Sequence, residues 1–364
     1  MSYISPINRH VHYRGDEYSG YNFTELAFRD DQAVGVIAVI DKPNYKVNGK
    51  YPVDGEVIAK RIKNMAPLVE KYGVLYTTNI VATSDMNQVK NAIKVIERMN
   101  RFVKGFKLFT CRTTNTEEIE IIDPDQQKEF WNTISRAGYK RNVDMHLEDQ
   151  TKFGPTPFDA SKPVTHSLYQ NPEAELIQFE KQFGFAYDVG FEGLFVSLHT
   201  SNADVIELGE YLVRRHSPKF RVKFEVIWNH LLLDDSAYAI HGNFVKRNPP
   251  LRSKEIRERL LLKVLNGGAH YFASDHAPHS IERKTDKEKP ASGDPVDLIY
   301  PFAVSEMRKY GVNESLLEDM LFHTANKDYF NGSLIPRLVD VEYHPEMWAD
   351  YGHNSFSDID GSNN

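Results

Sequence analysis

Residues 193–227 read GLFVSLHTSNADVIELGEYLVRRHSPKFRVKFEVI. A short apolar run at 193–200 reads as a strand, the amphipathic stretch 202–214 as a helix, and 222–227 as a second strand. Working outward, the same alternation fills most of the chain. Strands are expected at 8–13, 33–41, 74–82, 105–110, 142–148, 193–200, 222–227 and 271–275. Helical spacing covers 54–71, 86–101, 125–138, 172–189, 202–214 and 253–265, and again 297–310 and 314–329 after the eighth strand. Asp123-Pro124 and Asn171-Pro172 place proline in a first helical turn, and Ser253 can cap the helix carrying Glu255. Gly73, Gly138, Gly190 and Gly267-Gly268 are stop signals. Eight strands alternating with about eight helices predict an α/β protein of the (βα)8 TIM-barrel class, which usually takes roughly 250 residues and can exceed 400. A doubly wound open sheet is the rival, but no strand is followed by a phosphate-binding glycine pattern. The barrel is assigned to residues 1–335, and 336–364 to a polar C-terminal tail expected to be partly mobile.

Composition narrows the class. The chain has 364 residues, 41% of them hydrophobic, 26% charged and 12% aromatic, which fits a folded globular chain rather than a disordered one. The longest apolar run, 33–40, is far too short for a membrane span. The start, MSYISPINRH, shows no secretory pattern, and the single cysteine, Cys111, excludes a disulfide framework and fits a reducing cytoplasm. With 44 basic against 51 acidic residues the net charge is −7, so neither a nucleic-acid nor a membrane partner is expected. Fourteen histidines are the count that invites chemistry.

Barrel enzymes carry their chemistry at the C-terminal strand ends. The first strand ends His10-Val11-His12-Tyr13-Arg14, and strand alternation puts His10 and His12 on one side, where two imidazoles can grip one metal ion. Lys107 lies in the fourth strand, His146 and Glu148 in the fifth and His199 in the sixth. Asp275 ends the eighth, with His276 and His279 just beyond. Taken singly, a strand histidine is more often a hydrogen-bonded core residue, Asp275 a helix cap, and Lys107 a lysine reaching solvent along its stem. Their conjunction on one rim points to a catalytic metal site whose nitrogen and oxygen donors suit zinc best, with manganese, cobalt or iron as alternatives.

The motifs H10-V-H-Y-R14, G105-F-K-L-F109, M145-H-L-E148, L198-H-T-S201, V245-K-R-N-P-P-L-R252 and S274-D-H-A-P-H279 resemble dihydroorotase, of the amidohydrolase superfamily, in its short single-domain form. The resemblance runs in order from residue 8 to about 330 and leaves no room for the flanking β-sandwich of longer relatives. It implies reversible interconversion of N-carbamoyl-L-aspartate and L-dihydroorotate in pyrimidine synthesis. His10, His12 and Asp275 would hold one zinc and His146 with His199 another. Lys107, carboxylated, would bridge the two divalent ions, which would share a hydroxide, and Asp275 would act as general acid and base. Arg14, Asn44 and His279 would fix the substrate carboxylate, and Asn248 would lie near the ring. Thr113 and Thr114 would belong to a loop that closes over the small-molecule substrate. A homodimer and association with aspartate transcarbamoylase also follow as expectations. Hydantoinase and allantoinase share the metal ligands, and a non-catalytic dihydroorotase-like scaffold would have lost them. The stretch Val226-Ile227-Trp228-Asn229-His230 has asparagine where relatives often have Pro-His-His, and His199 is followed by Thr-Ser-Asn. The tail stretch His344-Pro345-Glu346-Met347-Trp348 has no counterpart and is expected on a neighbouring subunit or over the barrel floor.

Overall fold

Strands that are buried along their whole length need cover on both faces, which a parallel sheet wrapped by helices provides. Val103–Phe109 is such a strand, with all seven residues buried. A computed structural model of the chain describes residues 1–14, 23–46 and 49–360. In chain order its strands are β1 (Ser2–Ile4), β2 (Ile7–Val11), β3 (Ala38–Asp41), β4 (Leu75–Val81), β5 (Val103–Phe109), β6 (Asn142–His146), β7 (Leu194–Ser197), β8 (Arg221–Ile227), β9 (Tyr271–Ala273) and β10 (Leu338–Asp340). β2 to β9 form one sheet of eight, each strand parallel to the next. The ring closes between β9 and β2, where His12 N donates to His276 O at 2.7 Å and Asp275 N to His10 O at 3.0 Å. This is the TIM barrel, and its closure brings the first and last strand ends together.

The helices begin where side chains can satisfy the free amides of a first turn. Asp54 accepts from the amides of Glu56 and Val57, Asp123 from those of Asp125 and Gln126, and Asn171 from that of Ala174. Outside the barrel, Trp131 stacks on Phe195 with ring centroids 5.8 Å apart, tying an outer helix to β7.

Two parts of the fold depart from expectation. The apolar run 33–41 is not one strand: the helix Phe23–Ala33 ends in it and β3 starts only at Ala38. Gly35 makes the break, with φ +77°, and Val339 side-chain atoms lie 2.8 Å from where a Cβ would stand. That helix escapes a pattern search because Asp30 and Asp31 sit on its buried face. The helical stretch 314–329 is likewise interrupted by a π-turn at Asp319–His323.

Beyond the barrel, β10 pairs antiparallel with β1, Ser2 opposite Asp340. The tail then returns to the rim side of the fold. Tyr351 donates to Asp30 Oδ2 at 2.6 Å and stacks on Phe23 at 6.5 Å, while Trp348 and Phe356 are 2% and 0% exposed. Within the chain, then, these residues pack by the helix Phe23–Ala33. Among the described residues no helix is long and apolar enough to cross a membrane. Trp348→Ala should cost about 3 kcal/mol or more, the usual range for emptying a large aromatic seat. Urea unfolding measures it, and a loss under about 1 kcal/mol would show that the tail does not bear on the core.

Candidate metal centre and active site

At the rim the strand ends converge as the barrel dictates. His10 Nε2 and His12 Nε2 each lie 3.2 Å from Asp275 Oδ1, and their ligand atoms all lie within 4.8 Å of one another. His146 Nδ1 and His199 Nε2 face each other at 3.0 Å. His10 and His199 stack at 5.3 Å, which brings the two groups together. The Lys107 ammonium is fully buried, 4.6 Å from the Phe109 ring centroid, and has no hydrogen-bond partner among the described residues.

The electrostatics suit cation ligands. Burial lowers the pKa of His10, His12 and His199, so their imidazoles are neutral and offer lone pairs. Burial raises the Asp275 carboxyl, but the facing His10 and His12 and the Arg247 charge outweigh it and hold its pKa below the usual carboxylate range. Lys107 is pushed down to about 7 by burial, against the opposing pull of Asp275. Among the described residues, His10 Nε2, His199 Nδ1 and Lys107 Nζ are buried without hydrogen-bond partners. Unused imidazole lone pairs beside a carboxylate are a set that a divalent cation can complete, whereas Lys107 fits such a set only in a form other than the ammonium.

The backbone is bent to present two of these groups. His199 and Asp275 have φ +34° and +53°, a left-handed conformation that is costly for residues with a Cβ. Asp275 is held by its amide bond to His10 O, and His199 by donating its amide to Glu225 Oε1 at 3.1 Å.

Arg14, Asn44, Thr113, Thr114 and Asn248 line the same pocket, and His279 stands behind Arg14. Arg14 Nη1 donates to Asn44 Oδ1 at 2.7 Å, its Nη2 is 3.1 Å from His279 Nε2, and His279 in turn lies 2.9 Å from Ser292 O. Asn44 donates to Thr114 O at 3.2 Å, and Thr114 Oγ1 accepts from Ser292 N at 3.0 Å. Thr113 and Thr114 thus roof the pocket, with Asn248 on its wall, and only about 40 Å3 is left inside. Asn229 turns aside and donates to Asp294 at 3.2 Å.

No protein-family model matches the chain. The dihydroorotase of Archaeoglobus fulgidus is 35% identical over 336 residues, 90% of this chain and 72% of the relative. The chain belongs to the dihydroorotase family. It spans less than half the length of some other curated relatives it matches, 46% for the dihydroorotase of Methanosphaera stadtmanae, 27% identical over 57% of this chain. Among solved structures, a Saccharomyces cerevisiae dihydroorotase in complex with 5-fluoroorotic acid aligns with TM-score 0.69 at 16% identity, over 90% of this chain and 84% of that one. A D-hydantoinase aligns with TM-score 0.66 at 20% identity, over 89% and 71%. At such identities these two likenesses speak for the barrel alone.

In this dihydroorotase-family chain, the sequence reading named Glu148 without a role and passed over Glu225, and these two carboxylates hold the candidate ligands. Glu225, in β8, accepts from His10 Nδ1 at 2.7 Å and pairs with Arg9. Glu148 accepts from His146 Nε2 at 2.8 Å and from Gln170 at 3.0 Å, with Cys111 Sγ 4.0 Å away. The usable signal was charge: Arg9 in β2 and Glu225 in β8 are opposite charges at fully buried strand positions. Removing such a supporting carboxylate typically costs 10–100-fold in metal affinity. Glu225→Gln should therefore weaken metal retention by about that factor in a chelator competition, and wild-type retention would refute the role.

His230, bonded to Pro249 O at 3.0 Å, is pushed down to about 3 by burial. Only the unfolded chain then takes up its proton, so its contribution is full above pH 6.5 and is lost as pH falls below that. The stability gap between wild type and His230→Gln should narrow by about 2 kcal/mol between pH 7 and 5. Denaturant unfolding at the two pH values reads it, and an unchanged gap contradicts the assignment.

Proposed function

We propose that this protein is a metal-dependent cyclic amide hydrolase that interconverts L-dihydroorotate and N-carbamoyl-L-aspartate. The observation that carries the reading is the guanidinium of Arg14, held by Asn44 beside the His10–His12–Asp275 cluster. A planar fork of donors next to a hydrolytic centre suits a cyclic amide that also bears a carboxylate.

His10, His12 and Asp275 would hold one divalent ion, and His146 with His199 a second, zinc being the natural choice for these donors. Lys107 would join the two as its carbamate. A buried ammonium is untenable beside two dications, whereas burial that lowers its pKa to about 7 populates the neutral amine, the form that adds carbon dioxide. Bound there, the ions would acidify a water and polarise the amide carbonyl. Asp275 takes a proton from the attacking water and delivers it to the departing ring nitrogen, and in the reverse direction returns it as the ring closes. Arg14, Asn44 and His279 fix the substrate carboxylate and so set which carbonyl faces Asp275. Thr113 and Thr114, which line the pocket, would exclude other water when their loop closes on substrate.

The test is an assay of the purified, zinc-loaded protein against dihydroorotate, hydantoin and allantoin, with metal content measured in parallel. Turnover of dihydroorotate, two ions per chain and a loss of about 100-fold or more in Asp275→Ala are expected. Turnover of only hydantoin or allantoin would move the chain to another cyclic-amide specificity. A metal-free, inactive protein would falsify the catalytic reading.

A further inference from the structure

The end of the barrel away from the metal cluster is open. The N-terminal ends of β4 to β8, together with the turn after the helix Thr324–Phe330, enclose a cavity of about 590 Å3. Its charge is one-sided. Arg101, Lys104, Lys140, Arg141, Arg221 and Lys327 line it, against a single carboxylate, Asp328. That carboxylate is already engaged by Arg221 and by the Tyr271 hydroxyl at 2.6 Å. Lys140 pairs with Glu192, and Arg141 reaches Glu97 only at 3.8 Å.

Two groups in this wall are buried with unused donor capacity. Lys104 is 7% exposed, and its ammonium donates to Arg101 O at 3.0 Å and lies 4.2 Å from the Phe330 ring centroid. No carboxylate pairs with it among the described residues. Asn142 is 4% exposed and its Nδ2 has no partner among them. Burying an ammonium without a counter-ion and an amide without an acceptor is costly, and an anionic oxygen offsets both. The neighbouring walls are apolar, from Leu75, Leu194 and Phe330, and the space exceeds what a bare inorganic anion needs.

We propose that this cavity binds a small organic phosphate. The phosphate group lies against Lys104 and Asn142 with Arg101 at the rim, and the organic body lies along Leu75, Leu194 and Phe330. The site is separate from the hydrolytic centre and does not depend on the reaction assigned there.

Calorimetric titration of the metal-loaded full chain at constant ionic strength tests it, with adenosine 5′-monophosphate, adenosine and inorganic phosphate as probes. One equivalent of the monophosphate should bind about tenfold or more tighter than adenosine, since a charge-assisted contact is worth a tenfold change or more. Lys104→Met should weaken that binding about tenfold or more. Because this variant removes a buried, unpaired charge, its thermal midpoint without ligand should equal or exceed that of wild type, which separates lost binding from lost fold. Arg101→Gln, at the rim, should weaken binding about threefold. Absent binding, or equal binding in wild type and Lys104→Met, overturns the site, the latter by placing the phosphate elsewhere, as at Arg14. Inorganic phosphate binding as tightly as the monophosphate, and lost in Lys104→Met, would overturn the organic body and leave a site for the free anion.

Discussion

The two histidine groups at the rim are tied together by one carboxylate, that of Glu225. It accepts from His10 Nδ1 and from the His199 amide, and it forms an ion pair with Arg9. One side chain thus orients a histidine in each of the two candidate metal-holding groups. With Nδ1–H turned to Glu225, the Nε2 lone pair of His10 faces Asp275 and is left for a cation. Burial pushes the Glu225 carboxyl up, and Arg9 is the chief influence against it.

The pair does not stand alone. Arg9 also reaches Asp144 at 3.2 Å, Lys42 pairs with the other oxygen of Asp144, and Tyr329 donates to Asp144 Oδ1 at 2.8 Å. Arg9 lies between the rings of Tyr271 and Tyr329, 4.3 and 4.8 Å from their centroids. The middle of this barrel is therefore a charged network rather than the stacked branched side chains that fill many barrels. Removing one member leaves its partner buried and unpaired, which costs several kcal/mol, about 3 to 5 in typical cases. Such a network tolerates few arrangements, so the cluster above it inherits a fixed floor.

The barrel was legible because its evidence is local. A run such as 193–227 announces strand, helix and strand within one window, and H-x-H places two imidazoles on one side through the strand period alone. Lys107 was conspicuous because an ammonium does not belong in Gly105–Phe109. What stayed hidden is what the chain assembles at a distance. β1 and β10 are three residues each and pair across more than three hundred positions, so neither has a periodic signal. Glu225 and Arg9 are 216 positions apart, and each looks like an anomaly until barrel geometry sets them together. The helix Phe23–Ala33 was lost for the opposite reason, since its buried aspartates break the apolar face that would have betrayed it.

The net charge of −7 now needs a different reading. Many of the acidic groups are spent in pairs, either inside the barrel or on the surface, and contribute little field at either end. At the rim the exception is cationic: Arg14 lies in a pocket whose one ionised acid, Asp275, is turned to the imidazoles. At the floor the excess is cationic again, with Lys104 buried there. Potentials in concave, low-dielectric sites are set by the charges lining them, not by the molecular total. A net-acidic protein can therefore favour anions at both ends of one barrel, and the charged network between them holds the two apart.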